Sequence, residues 1–288
     1  KEFNDIGYIK RPNYLFEQFV VIVRALLPAN MLVRISPLAK QVFDLKSFEI
    51  STWILMMLSN IATSFILISK FFKDFKKDAQ TKFPLLFASL FTLFILFAGP
   101  IFFLTYPDRQ YMGYISFNIF HNPNYILMKP FALLAFISIS ENLFNKWQWN
   151  QSFLMAIWTV CVTLAKPSFT ITIVPAIFIM VLLDFRRHAK LINWFYLIFP
   201  LGLTATIVLG AQYYINYSGY WGERIMFGPF KTLQIYIPNI SLILLLNLFS
   251  VLFPLSVILL DWKASISRPS FKLVMVNFLV ELSMNYFL

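Results

Sequence analysis

Two lysine-proline pairs carry the residues of this chain best suited to hold a phosphate: Lys129-Pro130 in "FNIFHNPNYILMKPF" and Lys166-Pro167 in "LAKPSF". Both lysines stand at the edge of apolar runs, where a charged group is costly unless something uses it. A lysine near a helix end can snorkel toward lipid head groups, which is the bland account of both. The chemical account is that they face a polar cavity and bind an anionic group such as a phosphate. For Lys166 there is a further argument. The helix after Pro167-Ser168 starts with free amides, a helix N-terminus attracts anions, and the adjacent lysine reinforces that attraction. Ser168 therefore joins Lys166 as a candidate phosphate contact.

The His121-Asn122-Pro123 corner precedes the first of these lysines. Asparagine and proline shape turns, and Pro130 suits only the first turn of the helix that follows, so Asn122, Pro123, Pro130 and Pro167 are read as loop-shaping. His121 is the candidate base: activating a hydroxyl acceptor needs a histidine or carboxylate within hydrogen-bond reach. Asp5, Asp44 and Asp108 are the candidate carboxylates, although "YPDRQY" also reads as a surface turn with a local Asp108–Arg109 pair. In "WGERIMFG" Arg224 is a third candidate for the phosphate, and Tyr220 and Trp221 read as interfacial anchors. With 2 His and 1 Cys in the whole chain, no histidine or thiol metal centre is expected. Cys161 lies in an apolar run and reads as a small buried hydrophobe. No cofactor is expected, and a divalent metal is left open. Dinucleotide, Walker, nucleophile-elbow, HExxH and CxxC motifs are all missing from the sequence.

The elements that must position these residues are membrane helices. Hydrophobic residues make up 59% of the chain and charged ones 13%, with a mean hydropathy of +0.70. That much apolar surface is beyond the needs of a soluble domain. The net charge of +11 lies between the apolar runs, which is a pattern of membrane loops rather than of nucleic-acid binding. Apolar runs near 50–69, 83–105, 125–141, 191–214, 239–260 and 271–288 read as spans. Two shorter segments, 151–165 and 168–183, meet at Lys166-Pro167, where proline ends one helix and begins the next. The expected fold is all-α and polytopic, with about eight transmembrane or half-membrane helices.

Loop charge sets the orientation. Segments 69–82, 141–150, 184–190 and 261–272 are short and basic, and the positive-inside rule makes them cytoplasmic. His121, Lys129, Lys166 and Trp221 then fall on the extracytoplasmic side of a bacterial inner membrane. Residues 14–34 carry Glu17, Arg24 and Arg34 and read as an amphipathic helix lying in the outer interface, with a crossing helix as the alternative. The whole chain, 1–288, reads as one membrane domain in which 1–49 is the extracytoplasmic or interfacial part. Lys1 in place of Met and an apolar close at Leu288 suggest a piece of a longer chain.

"YMGYISFNIFHNPNYILMKPFALLAF" followed by "TLAKPSFTITIVPAIFIM" resembles a group of bacterial polytopic membrane proteins. In these a Y-x-G…W-H-N-P-T…K-P stretch precedes a helix and an A-K-P-S turn follows it. Phe120 and Asn124 stand here where that group has tryptophan and threonine. The group is similar to integral-membrane glycosyltransferases of the GT-C class, and the likeness covers roughly residues 105–185. It implies a sugar taken from a polyprenyl-phosphate donor at the extracytoplasmic face, for cell-envelope polysaccharide. It also implies a catalytic acid in a first outer loop, for which Asp5 or Asp44 is available. A transporter or lipid flippase without covalent chemistry, and an oligosaccharide repeat-unit polymerase, are the alternatives. The implied partners are the bilayer and the lipid-linked donor.

Overall fold

The computed structural model describes residues 15–26, 37–77, 82–97, 123–144, 149–183, 191–217, 239–250, 255–256, 259–260 and 262–287. Every element among them is an α-helix, and no strand occurs among the described residues. In chain order these are α1 (Leu15–Leu26), α2 (Pro37–Lys77), α3 (Pro84–Phe97), α4 (Pro123–Phe144) and α5 (Trp149–Ala165). There follow α6 (Ser168–Leu183), α7 (Leu191–Tyr217), α8 (Ile240–Ser250), α9 (Trp262–Ser267) and α10 (Pro269–Phe287). The all-α expectation holds, while several boundaries differ from the sequence reading.

The largest difference is α2. It joins three stretches that hydropathy separates: 36–49, the apolar run 50–69 and the first part of the basic segment 69–82. Lysine is a good helix former, and Lys76 and Lys77 in the last turn suit the negative end of the helix dipole. Hydropathy marks where apolar residues stop, which is not where a helix must stop. Within α2, Ile50–Lys77 (28 residues) is long and apolar enough to cross a membrane by length and composition. Pro84–Leu96 and Ser168–Leu183 are shorter apolar helices.

Pro130 corrects the reading of its own helix. The first residue of α4 is Pro123, whose missing amide is no loss at that position. Pro130 lies inside the helix, where it removes the amide that would have bonded the Ile126 carbonyl. Pro123 thus shapes the helix start, and Pro130 does not. Pro175 in α6 and Pro200 in α7 are also internal. Beside Pro200, the Thr204 hydroxyl donates to the Pro200 carbonyl at 2.6 Å. Asn239 caps α8, its Oδ1 accepting from the Ser241 amide at 2.9 Å.

Packing divides the bundle into two buried clusters. One gathers Ile139 and Leu143 of α4, Met155 of α5, Ile173, Ile177 and Met180 of α6, Leu201 of α7 and Leu273 of α10. The other joins Val20 of α1, Leu55 of α2, Leu127 of α4 and Ala165 of α5. Val20 is fully buried there, so the amphipathic amino-terminal helix docks one face on the bundle. Its neighbours Val21 and Ile22 remain exposed. The second cluster brings the start of α4 against the end of α5, and that junction positions both lysine-proline pairs.

Candidate functional site

The corner between α5 and α6 is built by Pro167. Helix α5 closes with the Lys166 amide bonded to the Val162 carbonyl at 2.8 Å. The next residue has no amide hydrogen, so the Thr163 carbonyl loses the donor an uninterrupted helix would supply. Gln212 of α7 takes that place, its Nε2 donating to the Thr163 carbonyl at 3.0 Å. Helix α6 then opens with the Ile171 amide bonded to the Pro167 carbonyl at 3.0 Å. The two helices are pinned at this corner by the Thr163 and Thr170 hydroxyls, 2.7 Å apart and both buried.

Lys166 lies in the corner itself, outside both helices. Its ammonium sits 3.0 Å from the centroid of the Tyr125 ring, which belongs to the first turn of α4. A cation over an aromatic face is held by the ring quadrupole. Burial nevertheless pulls the Lys166 ammonium down to about 8, because leaving water disfavours the charged form. Lys129 follows Tyr125 by four residues and so occupies the same face of α4. Both lysines are partly buried, and no described carboxylate compensates either ammonium. Burial is the larger influence on the Tyr125 phenol, and the Glu281 carboxylate of α10 is a smaller one acting through space. Lys166 therefore meets the Tyr125 ring directly, and Lys129 stands one turn further along the helix that carries that ring.

Of the residues singled out from sequence, Lys166, Pro167 and Ser168 form the corner, Ser168 being the half-buried first residue of α6, and Lys129 lies on α4 one turn beyond the Tyr125 ring that Lys166 meets. His121, Asn122, Asp5, Asp108 and Arg224 lie outside the described residues. Asp44 falls within α2, with its side chain outside the description. Among the described residues no group of His, Cys, Asp or Glu could hold a metal ion. Cys161 is a free, half-buried thiol.

Tyr125, Gln212 and Glu281 were not singled out by sequence reasoning. For two of them a signal existed. Gln212 in "VLGAQYYINY" and Glu281 in "NFLVELSMN" are isolated polar residues in apolar runs, the situation that marks polar groups in use. Tyr125 had no such mark, since tyrosine at the head of an apolar helix is ordinary. Chemically, the corner offers the Lys166 ammonium, the Ser168 hydroxyl and helix-start amides for an anion, with Lys129 on the neighbouring α4. Comparison with family models, curated proteins and solved structures finds no match to this chain.

Proposed function

We propose that this protein is a polytopic membrane protein that binds a polyprenyl-phosphate-linked sugar at the Lys129–Lys166 corner and transfers the sugar to an acceptor hydroxyl. The observation that carries this reading is the partly buried Lys166 ammonium seated on the Tyr125 ring, with the partly buried Lys129 one turn along the same helix as that ring. Buried cations without a partner are expensive, and a phosphate is the ligand that offsets that cost.

The membrane setting has separate support. Large apolar side chains stand outward on several helices, with Phe65 of α2 at 72%, Leu183 of α6 at 75% and Ile207 of α7 at 60% exposure. In water such a surface would be driven to associate, whereas lipid tails accept it. The hydroxyls of Thr63, Ser64, Thr159 and Ser283 donate to carbonyls one turn back on their own helices. That habit satisfies hydroxyls where no water is present. Loop charge then orients the corner toward the extracytoplasmic face of a bacterial inner membrane, in a bundle of about eight spans.

In the transfer, the bond between the sugar's anomeric carbon and the phosphate oxygen breaks, and a bond from that carbon to the acceptor oxygen forms. The acceptor proton passes to a base, for which His121, Asp5, Asp44 and Asp108 are candidates. The lipid phosphate leaves as an anion, and Lys129, Lys166 and Arg224 stabilise its charge. The product serves cell-envelope polysaccharide. Lys166→Ala should lower incorporation of labelled sugar from the lipid-linked donor at unchanged membrane abundance. Unchanged incorporation removes Lys166 from the mechanism, and movement of the intact lipid-linked sugar across the membrane without transfer assigns the corner to transport.

A further inference from the structure

Gln212 is 6% exposed, and its Oε1 is buried with no hydrogen-bond partner among the described residues. The orientation of its amide is fixed by chemistry: only the NH2 group can donate to the Thr163 carbonyl, so Oε1 is the atom left over. A buried acceptor of this kind is costly when unpaired. None of the described threonine hydroxyls beside the Thr163 carbonyl is free to satisfy it. Thr163 donates to the Thr159 carbonyl, so the contact between the two threonine hydroxyls is supplied by the Thr170 proton. The Thr159 proton is committed to the Met155 carbonyl. The amide therefore presents one acceptor at the junction of α5, α6 and α7, a single turn from Lys166, while Lys166 and Ser168 keep the corner partly open.

We infer that Gln212 Oε1 is the recognition point for a hydroxyl of the group attached to the phosphate, so that the corner selects a phosphate bearing a hydroxylated headgroup over a bare phosphate. This rests on the phosphate reading of Lys166 and adds to it the neutral half of the ligand. The required partner is a donor. Ethers and carbonyls of similar size cannot serve, which sets a sugar or other polyol apart from an acylated or alkylated head.

The test uses the full chain in lipid nanodiscs and three probes: polyprenyl phosphate, polyprenyl-phosphate-linked hexose, and the same hexose lipid with every hydroxyl O-methylated. One hydrogen bond to a buried acceptor corresponds to about tenfold in affinity. The wild type should bind the free hexose lipid about tenfold more tightly than the methylated one, and in Gln212→Leu that ratio should collapse toward one. Equal binding of the hexose and methylated lipids by wild type overturns the headgroup site while leaving phosphate binding intact. Retention of the ratio in Gln212→Leu also overturns it. Binding of none of the three lipids overturns the phosphate reading and this inference together. Gln212→Met, closer in length to glutamine and likewise without an acceptor, is read in the same way, so that the role of Gln212 is tested even if Gln212→Leu fails to fold.

Discussion

Replacing Lys166 by methionine removes the charge and keeps the length of the side chain, which makes it the sharpest perturbation of the corner. Two consequences can be worked separately. For the fold, the ammonium 3.0 Å from the Tyr125 centroid loses a cation–π contact of about 1–2 kcal/mol. Methionine also relieves the cost of burying an ammonium with no described carboxylate beside it, and its thioether still packs on the ring. These effects oppose each other, so stability should change by no more than about 1 kcal/mol. For a phosphate ligand nothing offsets the loss. A hydrogen bond to a charged group is worth about 1.5–3 kcal/mol, a weakening of roughly 10- to 150-fold in Kd. The assay is titration of polyprenyl phosphate into the purified protein in nanodiscs, with thermal unfolding followed on the same samples. Lys76→Met, at the exposed basic end of α2, serves as the control for a general loss of charge. The reasoning is refuted if Lys166→Met binds within twofold of wild type, or if Lys76→Met weakens binding as much.

Burial lowers the Lys166 ammonium to about 8, so the cation that holds the phosphate is lost as pH rises through that value. Phosphate-lipid affinity should therefore fall about tenfold per pH unit above 8 in wild type and show no such step in Lys166→Met. Fold stability should move the other way, rising between about 8 and the ordinary 10.5 as the penalty on the charged form disappears; unfolding midpoints across that range check the sign. Ile177→Ala, in the cluster shared by α4, α5, α6, α7 and α10, should cost about 2–5 kcal/mol, measured by denaturant unfolding. Val20→Asp should detach α1 from the bundle without unfolding the other helices, and faster proteolysis confined to residues near 15–26 would register it.

The helices were legible where apolar residues run together and where a proline interrupts them. The corner at Lys166-Pro167 was readable for that reason, since proline removes one specific hydrogen bond wherever it stands. The length of α2 was not readable from hydropathy, because its lysine-rich end satisfies helix propensity while failing the apolar test. Pro130 misled in the opposite direction: a proline can be kept inside a helix when packing against neighbours offsets one lost bond, and packing is invisible in a single run of residues. At the site, the individual lysines were legible as charges in apolar surroundings. The seating of Lys166 on Tyr125 was not, because it depends on how α4 lies against α5. The same holds for Gln212, which is separated by 49 residues from the carbonyl it caps.

The central claim is that the α5–α6 corner lies on the face opposite the basic loops and holds a lipid phosphate. Ser168→Cys in a Cys161→Ser background places one thiol at the head of α6, beside Lys166. A membrane-impermeant thiol reagent, applied to oriented vesicles with and without polyprenyl phosphate, reads both halves of the claim at once. Labelling should occur from the extracytoplasmic side and slow as polyprenyl phosphate is added. Labelling only from the side of the basic loops, or at a rate that polyprenyl phosphate leaves unchanged, would contradict it.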